Sequence, residues 1–410
     1  MNRLWENRIE KSIFFLLMFY AATVWMFDGD VSKIRYLYFA YGLLCLRIII
    51  YRPRFRISHE IYPLIAYMIF GFMSILWAES RSTAIERSRG VMLIMIGFIL
   101  LYEYIKPTRK PEIIIYAVIV GTTAVSVYFF YFYGISDTIV AVLQGTSRIG
   151  WQINNVNTVA NSMSVGIVAI IGVALLNRKK MVLILLVPIT VVFLATGSRT
   201  ATLSALSGVI ITIICYIRSQ KNASSRFVNF LGALFFVIVI WLVLRSIPSF
   251  QEITLRVENS INILTGRDML IKESSTQNRL DYIEAGWALF LKSPIWGNGI
   301  GCAGYAIDSG DRLTYLHNNY VELLASGGII GFLLFYSPYI TAVKRHYHRI
   351  FRYRDTEYTQ MISFSLLVTK LVAHMGTVVY YSKVEYLLLV LWIYMASAER
   401  VNDAYGEDYA

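Results

Sequence analysis

The chain has 410 residues, of which 57% are hydrophobic and only 16% are charged. This balance excludes an ordinary soluble domain and predicts that many segments lie in lipid. The net charge of +12 raises the question of nucleic-acid binding, whereas isolated cysteines without a CxxC pair argue against a disulfide framework or a zinc site.

Apolar runs of membrane-spanning length recur along the whole chain. A spanning helix needs about 20 mostly apolar residues. The first run follows a basic N-terminus without a small-residue cleavage site, which favours a retained helix. The chain is therefore predicted to be one integral membrane domain over 1–410, an all-α polytopic fold with about twelve transmembrane helices. The predicted spans are 12–27, 34–50, 61–78, 90–105, 112–133, 156–177, 181–195, 200–217, 227–245, 316–343, 358–375 and 384–398.

Lysine and arginine are distributed unequally between the two predicted sides of the membrane. Both termini, together with every second loop from 52–60 to 344–355, carry 21 lysines and arginines. The short loops on the other side carry only 8. Because positive residues accumulate in cytoplasmic loops, the N- and C-termini are predicted to be cytoplasmic. The asymmetry also accounts for the net charge, so no nucleic-acid partner is predicted.

One predicted extracytoplasmic loop, 246–315 between the ninth and tenth spans, is much longer than the others. Its middle reads TQNRLDYIEAGWALFLKSPIWGNGIG and places apolar residues at helical spacing, with Arg279 on another side. Thr276 is a suitable N-cap, and Pro294 is expected to stop the run. The pattern predicts an amphipathic helix on the membrane surface. The GxGxxG at 299–304 follows no strand and is interpreted as a flexible turn.

An arginine stands in the short outer hairpin ATGSRTA, between the seventh and eighth predicted spans. Ser198 can cap the helix that starts near Thr200, and the positive end of that helix dipole faces outward. A further cation is unfavourable there unless an anion binds, so Arg199 is a candidate anion ligand. An interfacial arginine that contacts lipid phosphate explains the position equally well.

Another outer loop, TSRIGWQINNVNT, holds Arg148 and Asn155 near Trp151. Aromatic faces stack on sugar rings, and amides bond sugar hydroxyls. Arg148 and Asn155 are therefore candidate substrate ligands. Turn and cap chemistry before the helix near 158 is an equal alternative.

The stretch YLHNNYVELLASGGIIGFLLFY opens polar before it becomes apolar. Asn318, Glu322 and Ser326 fall at i, i+4 and i+8 and form one polar stripe of a helix. A carboxylate so deep in a span must face protein or water. His317, Asn318 and Glu322 are therefore candidates to line a polar cavity, with a capping or interfacial histidine as the alternative for His317.

Lys370 and His374 lie four residues apart in the eleventh predicted span, where a buried lysine needs an anion or a cavity. Both are candidate substrate ligands, and snorkelling or a structural pair with an acid is the alternative. Asp28 and Asp30 form a DxD spacing that some metal-using glycosyltransferases employ, although a turn explains it better. No metal site is predicted.

Three motifs in this order, ATGSRTA, NRLDYIEAGWALFLKSPIWGNGIG and LHNNYVELLASGGIIGFLLFY, resemble the O-antigen ligase and polymerase superfamily over roughly residues 190–340. The resemblance implies a GT-C-like membrane glycosyltransferase that moves glycans from undecaprenyl diphosphate at the outer face of the bacterial plasma membrane, without a metal or cofactor. It implies catalytic roles for Arg199, Arg279 and His317. It also implies a lipid-linked oligosaccharide and membrane lipids as partners, with flippase and chain-length regulator proteins as further candidates.

The chemistry of that reaction suits these residue types. Cleavage of the anomeric bond develops negative charge on the departing diphosphate, and guanidinium groups stabilise such oxygens through two-pronged contacts. A histidine with an unperturbed pKa of about 6.5 can take the proton that the acceptor hydroxyl loses.

The leading hypothesis is a Wzy-type polymerase that moves a growing glycan onto the next lipid-linked repeat unit. The alternative is an O-antigen ligase, whose acceptor is lipid A-core. A protein O-oligosaccharyltransferase is disfavoured because no extra outer domain follows the last predicted span. A multi-span transporter would predict two similar halves with polar groups near the bilayer midplane, whereas the polar residues here cluster on one predicted side.

Overall fold

A computed structural model describes most of the chain from residue 59 onward. The described ranges are 59–145, 149–150, 155–220, 222, 224–228, 231–232, 245–264, 274–307, 315–353 and 357–397, with isolated positions between 12 and 45. Arg148 and the Asp28–Asp30 motif lie outside the described residues. The predicted spans 12–27, 34–50 and 227–245 lie largely outside them.

The secondary structure of the described residues is helical, and we number these helices in chain order. They are α1 Tyr62–Met73, α2 Arg81–Thr108, α3 Glu112–Tyr133, α4 Ile135–Gln144, α5 Val156–Leu176, α6 Leu186–Thr196, α7 Arg199–Ser219, α8 Pro248–Leu264, α9 Ser274–Lys292, α10 Ala303–Ile307, α11 Asn319–Tyr347, α12 Tyr358–Ala373 and α13 Lys383–Ala396. A π-helical turn, His348–Arg352, continues α11.

Several of these helices are long and apolar enough to cross a membrane, which confirms a polytopic membrane protein. Six such stretches occur within the described residues: His59–Leu76, Arg81–Lys106, Glu112–Tyr133, Val156–Leu176, Arg199–Ser219 and Asn319–Arg352. Each overlaps a predicted span. The helices at the predicted spans 181–195, 358–375 and 384–398 are shorter, so the count of about twelve stays a prediction.

Two helix starts differ from the sequence interpretation. The predicted outer loop 79–89 is mostly helix, because α2 begins at Arg81 behind Ser80, whose Oγ accepts from the N–H of Thr83 at 3.4 Å. Charged residues lower the hydropathy of the first turns of α2, so a hydropathy scan does not detect these turns as part of a span. A capped helix start nevertheless tolerates charge. Thr276 is not an N-cap, because α9 already begins at Ser274.

Contacts divide the chain into two units, and in the first of them α5, α7 and α12 pack together. The first unit comprises the described parts of Met1–Tyr36, Glu112–Lys272 and His346–Ala373. At one end of it, Ser198 Oγ donates to Asn157 Oδ1 at 3.1 Å, which joins the starts of α5 and α7. At the other end, Arg218 Nη2 donates to the carbonyl of Phe351 at 2.8 Å.

In the second unit, α2 contacts both α1 and α13. This unit comprises the described parts of Leu37–Pro111, Glu273–Arg345 and His374–Ala410. At one end, Arg345 pairs with Glu60 at 2.6 Å. At the other, the N–H of Val379 donates to Asn319 Oδ1 at 2.8 Å, which ties the segment before α13 to the start of α11.

Helix α11 is interrupted at Gly328, whose φ of 60° and ψ of −165° are not helical. The loop after α9 fills the break: the N–H of Ile329 donates to the carbonyl of Pro294 at 2.8 Å, and that of Gly299 donates to Ser326 at 2.9 Å. A Cβ at residue 328 would overlap the backbone of this loop, so glycine is required. The segment that begins at Gly299 is thus a turn, as the sequence indicated, and a main-chain bond holds its first residue.

Candidate active site

His317 has an unusual backbone conformation. Its φ is 53°, in the left-handed region that residues other than glycine rarely occupy. The turn connects Leu316, which is buried in an apolar cluster, to Asn318 at the start of α11. Strained residues of this kind persist only where the surroundings hold them, and they cluster at functional sites. The conformation marks His317 as a functional candidate independently of its sequence motif.

The imidazole of His317 lies among aromatic rings and near an arginine. Its centroid is 4.2 Å from that of Tyr315 and 6.1 Å from that of Tyr282. The Nδ1 atom is buried and has no hydrogen-bond partner within the described residues. Burial, and then the positive charge of Arg279, lower the pKa of His317 to about 4. The ring is therefore neutral at pH 7 and able to accept a proton.

Helix α9 supplies Arg279 and Tyr282, and close packing fixes their position. A Cβ at Gly286 would lie 2.5 Å from Leu316 Cδ1 and 2.7 Å from Val321 Cγ1, so only glycine lets α9 approach the start of α11 this closely. The residue before His317 is thus clamped against the helix that carries Arg279.

Helix α9 also carries exposed apolar side chains. Trp287 is 49% exposed and Leu291 is 62% exposed. Apolar side chains that do not pack against the protein are what a helix on a membrane surface needs. Placement of α9 at that surface stays a prediction.

The polar residues after His317 hold the start of α11. Asn318 Oδ1 accepts from two N–H groups of the first turn, at 3.0 and 3.2 Å, as an N-cap does. Glu322 is 2% exposed, and its Oε2 accepts from the N–H of Leu316 at 3.1 Å. Both side chains therefore fix the chain on either side of His317, and their predicted contacts with substrate stay predictions.

A buried polar network fastens this helix start to the segment after α12. His374 Nε2 lies 3.0 Å from Glu385 Oε1, to which the hydroxyl of Tyr339 also donates at 2.7 Å. Asn319 Nδ2 donates to the hydroxyl of Tyr336 at 2.8 Å, and that hydroxyl lies 3.2 Å from His374 Nδ1. His374 therefore pairs with an acid, as the structural alternative in the sequence analysis expected. A contact between His374 and substrate stays a prediction. The other members of the network could not be identified from the sequence, because they are far apart along the chain.

Arg199 is the first residue of α7 and belongs to the first unit. Ser198 precedes it in the N-cap position, but its hydroxyl bonds Asn157 and not the backbone of α7, so the expected serine cap is wrong. Asn155 caps α5, because its Oδ1 accepts from the N–H of Asn157 at 2.9 Å. Two helix N-termini, each with positive dipole charge, therefore meet beside Arg199.

The remaining candidates fall elsewhere. Lys370 lies on α12 in the first unit and is 5% exposed. In the part of the chain that the structure describes, no group of three or more histidine, cysteine, aspartate or glutamate side chains is placed to hold a metal ion. The roles predicted for Lys370, Asn155 and Arg148 in substrate binding stay predictions.

Comparison with known protein families bears on the region that contains His317. Residues 181–336 match the O-antigen ligase family, Wzy_C. The chain carries a Wzy_C domain. This confirms the resemblance predicted over roughly residues 190–340. No curated protein matches the chain.

Residues 181–336 are therefore of the O-antigen ligase and polymerase type, and the match implies an enzyme that transfers glycans. Lipid-linked glycans are the substrates that the family suggests. The matched region includes Arg199, Arg279 and His317, whereas Asn155, Lys370 and His374 lie outside it.

Proposed function

We propose that this Wzy_C protein is a polysaccharide polymerase. It transfers a growing glycan from undecaprenyl diphosphate onto the next lipid-linked repeat unit at the outer face of the plasma membrane. The observation that carries the proposal is the partly buried His317, held in a left-handed turn near Arg279 within the Wzy_C domain. In the reaction, the acceptor hydroxyl attacks the anomeric carbon while the bond from that carbon to the diphosphate oxygen breaks.

His317 accepts the proton of the attacking hydroxyl, and Arg279 stabilises the charge that develops on the diphosphate. The two roles support each other. The positive charge of Arg279 contributes to the low pKa of His317, and a bound diphosphate offsets that charge. Donor binding therefore raises the pKa of His317 and makes it a stronger base when it is needed.

For Arg199 we propose a contact with phosphate oxygens of a lipid-linked glycan. Support comes from the paired N-termini of α5 and α7, whose positive dipole charge favours an anion beside Arg199. The Ser198 hydroxyl donates to Asn157, so this hydroxyl does not compete with an anion for the first N–H groups of α7.

A ligase is the second candidate, because the matched family is described as an O-antigen ligase. Incubation of the purified protein with lipid-linked repeat units alone separates the two. A polymerase produces a ladder of glycans of increasing length on undecaprenyl diphosphate. A product that forms only when lipid A-core is added identifies a ligase, and no transfer in either reaction contradicts both.

Chelation is expected to leave glycan transfer unchanged. Arginine side chains supply the charge that a metal supplies in other glycosyltransferases, so EDTA should not lower the rate with purified protein in detergent. Loss of activity on chelation, restored by Mn²⁺ or Mg²⁺, would show that a metal takes part and would direct attention to Asp28 and Asp30.

Impermeant maleimide is expected to label Arg199→Cys, Arg279→Cys and His317→Cys on spheroplasts. The lysine and arginine distribution predicts this sidedness. That distribution assigns Glu60 and Arg345 to the inner side. The two residues form an ion pair at one end of the second unit. Lys344→Cys serves as the inner control and should label only after permeabilisation. Labelling of residue 344 with protection of residue 199 would reverse the topology.

A further inference from the structure

We propose that Arg87 binds a phosphate group of a lipid-linked substrate, an inference that rests on the proposed function. In the sequence, Arg87 counts only as one basic residue of an outer loop. The structure places it in the second turn of α2, in the second unit. The motifs that contain Arg279 and His317 assign no role to Arg87.

The guanidinium of Arg87 is stacked on an aromatic ring. Its Cζ lies 4.4 Å from the ring centroid of Tyr381, and Gly301 packs against its Cγ. Stacking uses the face of the guanidinium, so the N–H donors in its plane stay available. Within the described residues, no acceptor bonds these donors. A fixed, planar fork of this kind matches two oxygens of a phosphate group.

Arg87 lies at the end of the second unit where His317 stands. Tyr380, next to the stacking tyrosine, donates its N–H to Asn319 Oδ1 at 3.3 Å, two residues after His317. Arg87 also interacts electrostatically with Glu322, whose carboxylate holds the backbone just before His317. The two side chains make no ion pair among the described contacts, so the guanidinium adds positive charge at this end without being neutralised by direct contact.

The test is equilibrium binding of undecaprenyl diphosphate to the purified full-length protein in detergent, with undecaprenol as the phosphate-free probe. Arg87→Gln and Arg87→Lys are expected to weaken binding of the diphosphate about tenfold to hundredfold, as loss of a charged two-pronged contact does. Binding of undecaprenol should not change. Arg89→Gln is the matched control, because Arg89 is exposed on the same helix.

Variants of Tyr381 test the stacking on Arg87. Tyr381→Phe keeps the ring and should keep the affinity for undecaprenyl diphosphate, whereas Tyr381→Leu should weaken it. Assays in which donor and acceptor are varied separately then show which lipid-linked substrate Arg87 binds, because only the KM for that substrate should rise.

Two outcomes would overturn the inference. One is unchanged diphosphate affinity in Arg87→Gln. The other is full recovery of that affinity in Arg87→Gln combined with Glu322→Gln, which would show that Arg87 only balances a buried carboxylate. Binding of undecaprenyl diphosphate that depends on Arg87, without any glycan transfer by the unaltered protein, would instead contradict the proposed function alone.

Discussion

Arg279→Lys is expected to lower the rate of glycan transfer by about 10²–10³-fold, although the positive charge is kept. Loss of one preorganised contact to developing charge has an effect of this size. An ammonium group is a point charge and cannot reproduce the two-pronged contact of a guanidinium with diphosphate oxygens. Arg199→Lys is expected to lower the rate for the same reason.

The measurement is formation of the glycan ladder by purified variants in detergent. Arg89→Lys is the control, because it makes the same chemical change at an exposed position and should retain the rate. Full activity in both Arg279→Lys and Arg199→Lys would contradict the two-pronged contact, even though the Wzy_C assignment would remain.

His317→Ala is expected to lower kcat by about 10²–10⁴-fold, the usual contribution of a general base. Binding of an undecaprenyl diphosphate glycan should stay nearly intact, because Arg279 and not His317 contacts the diphosphate in the proposed mechanism. His348→Ala is the matched control, since His348 is an exposed histidine of the π-helical turn. Loss of donor binding in His317→Ala, together with normal binding in Arg279→Ala, would reverse the two roles.

The pH profile tests the base role separately. The sequence alone predicts a rate that falls below about pH 6.5. Burial and Arg279 lower the pKa of His317 to about 4, so the free enzyme keeps its neutral base well below that pH. We therefore expect kcat/KM, which reports the free enzyme, to stay level from pH 7 to about pH 5. We expect kcat, which reports the donor complex, to begin falling at a higher pH than kcat/KM does. A kcat/KM that halves at about pH 6.5, and is level in His317→Ala, would show that His317 titrates as an unperturbed histidine.

The sequence by itself determined the membrane class, the helix-rich fold and the Wzy_C resemblance. These follow from local properties: apolar runs long enough to cross a bilayer, and short motifs whose residues are neighbours along the chain. Arg279 and His317 were identified this way because each stands inside such a motif. Arg87 was not, because the sequence registers it only as one basic residue of a predicted outer loop.

Only the tertiary structure decided what these residues contact. The left-handed backbone at His317, its lowered pKa and its approach to Arg279 depend on α9 lying against the start of α11 at Gly286. The partner of His374 is Glu385 on α13, and Ser198 bonds a distant asparagine although its sequence predicts a local cap. Each of these outcomes depends on burial and on partners remote along the chain, so the free energy that selects them appears only when the helices pack.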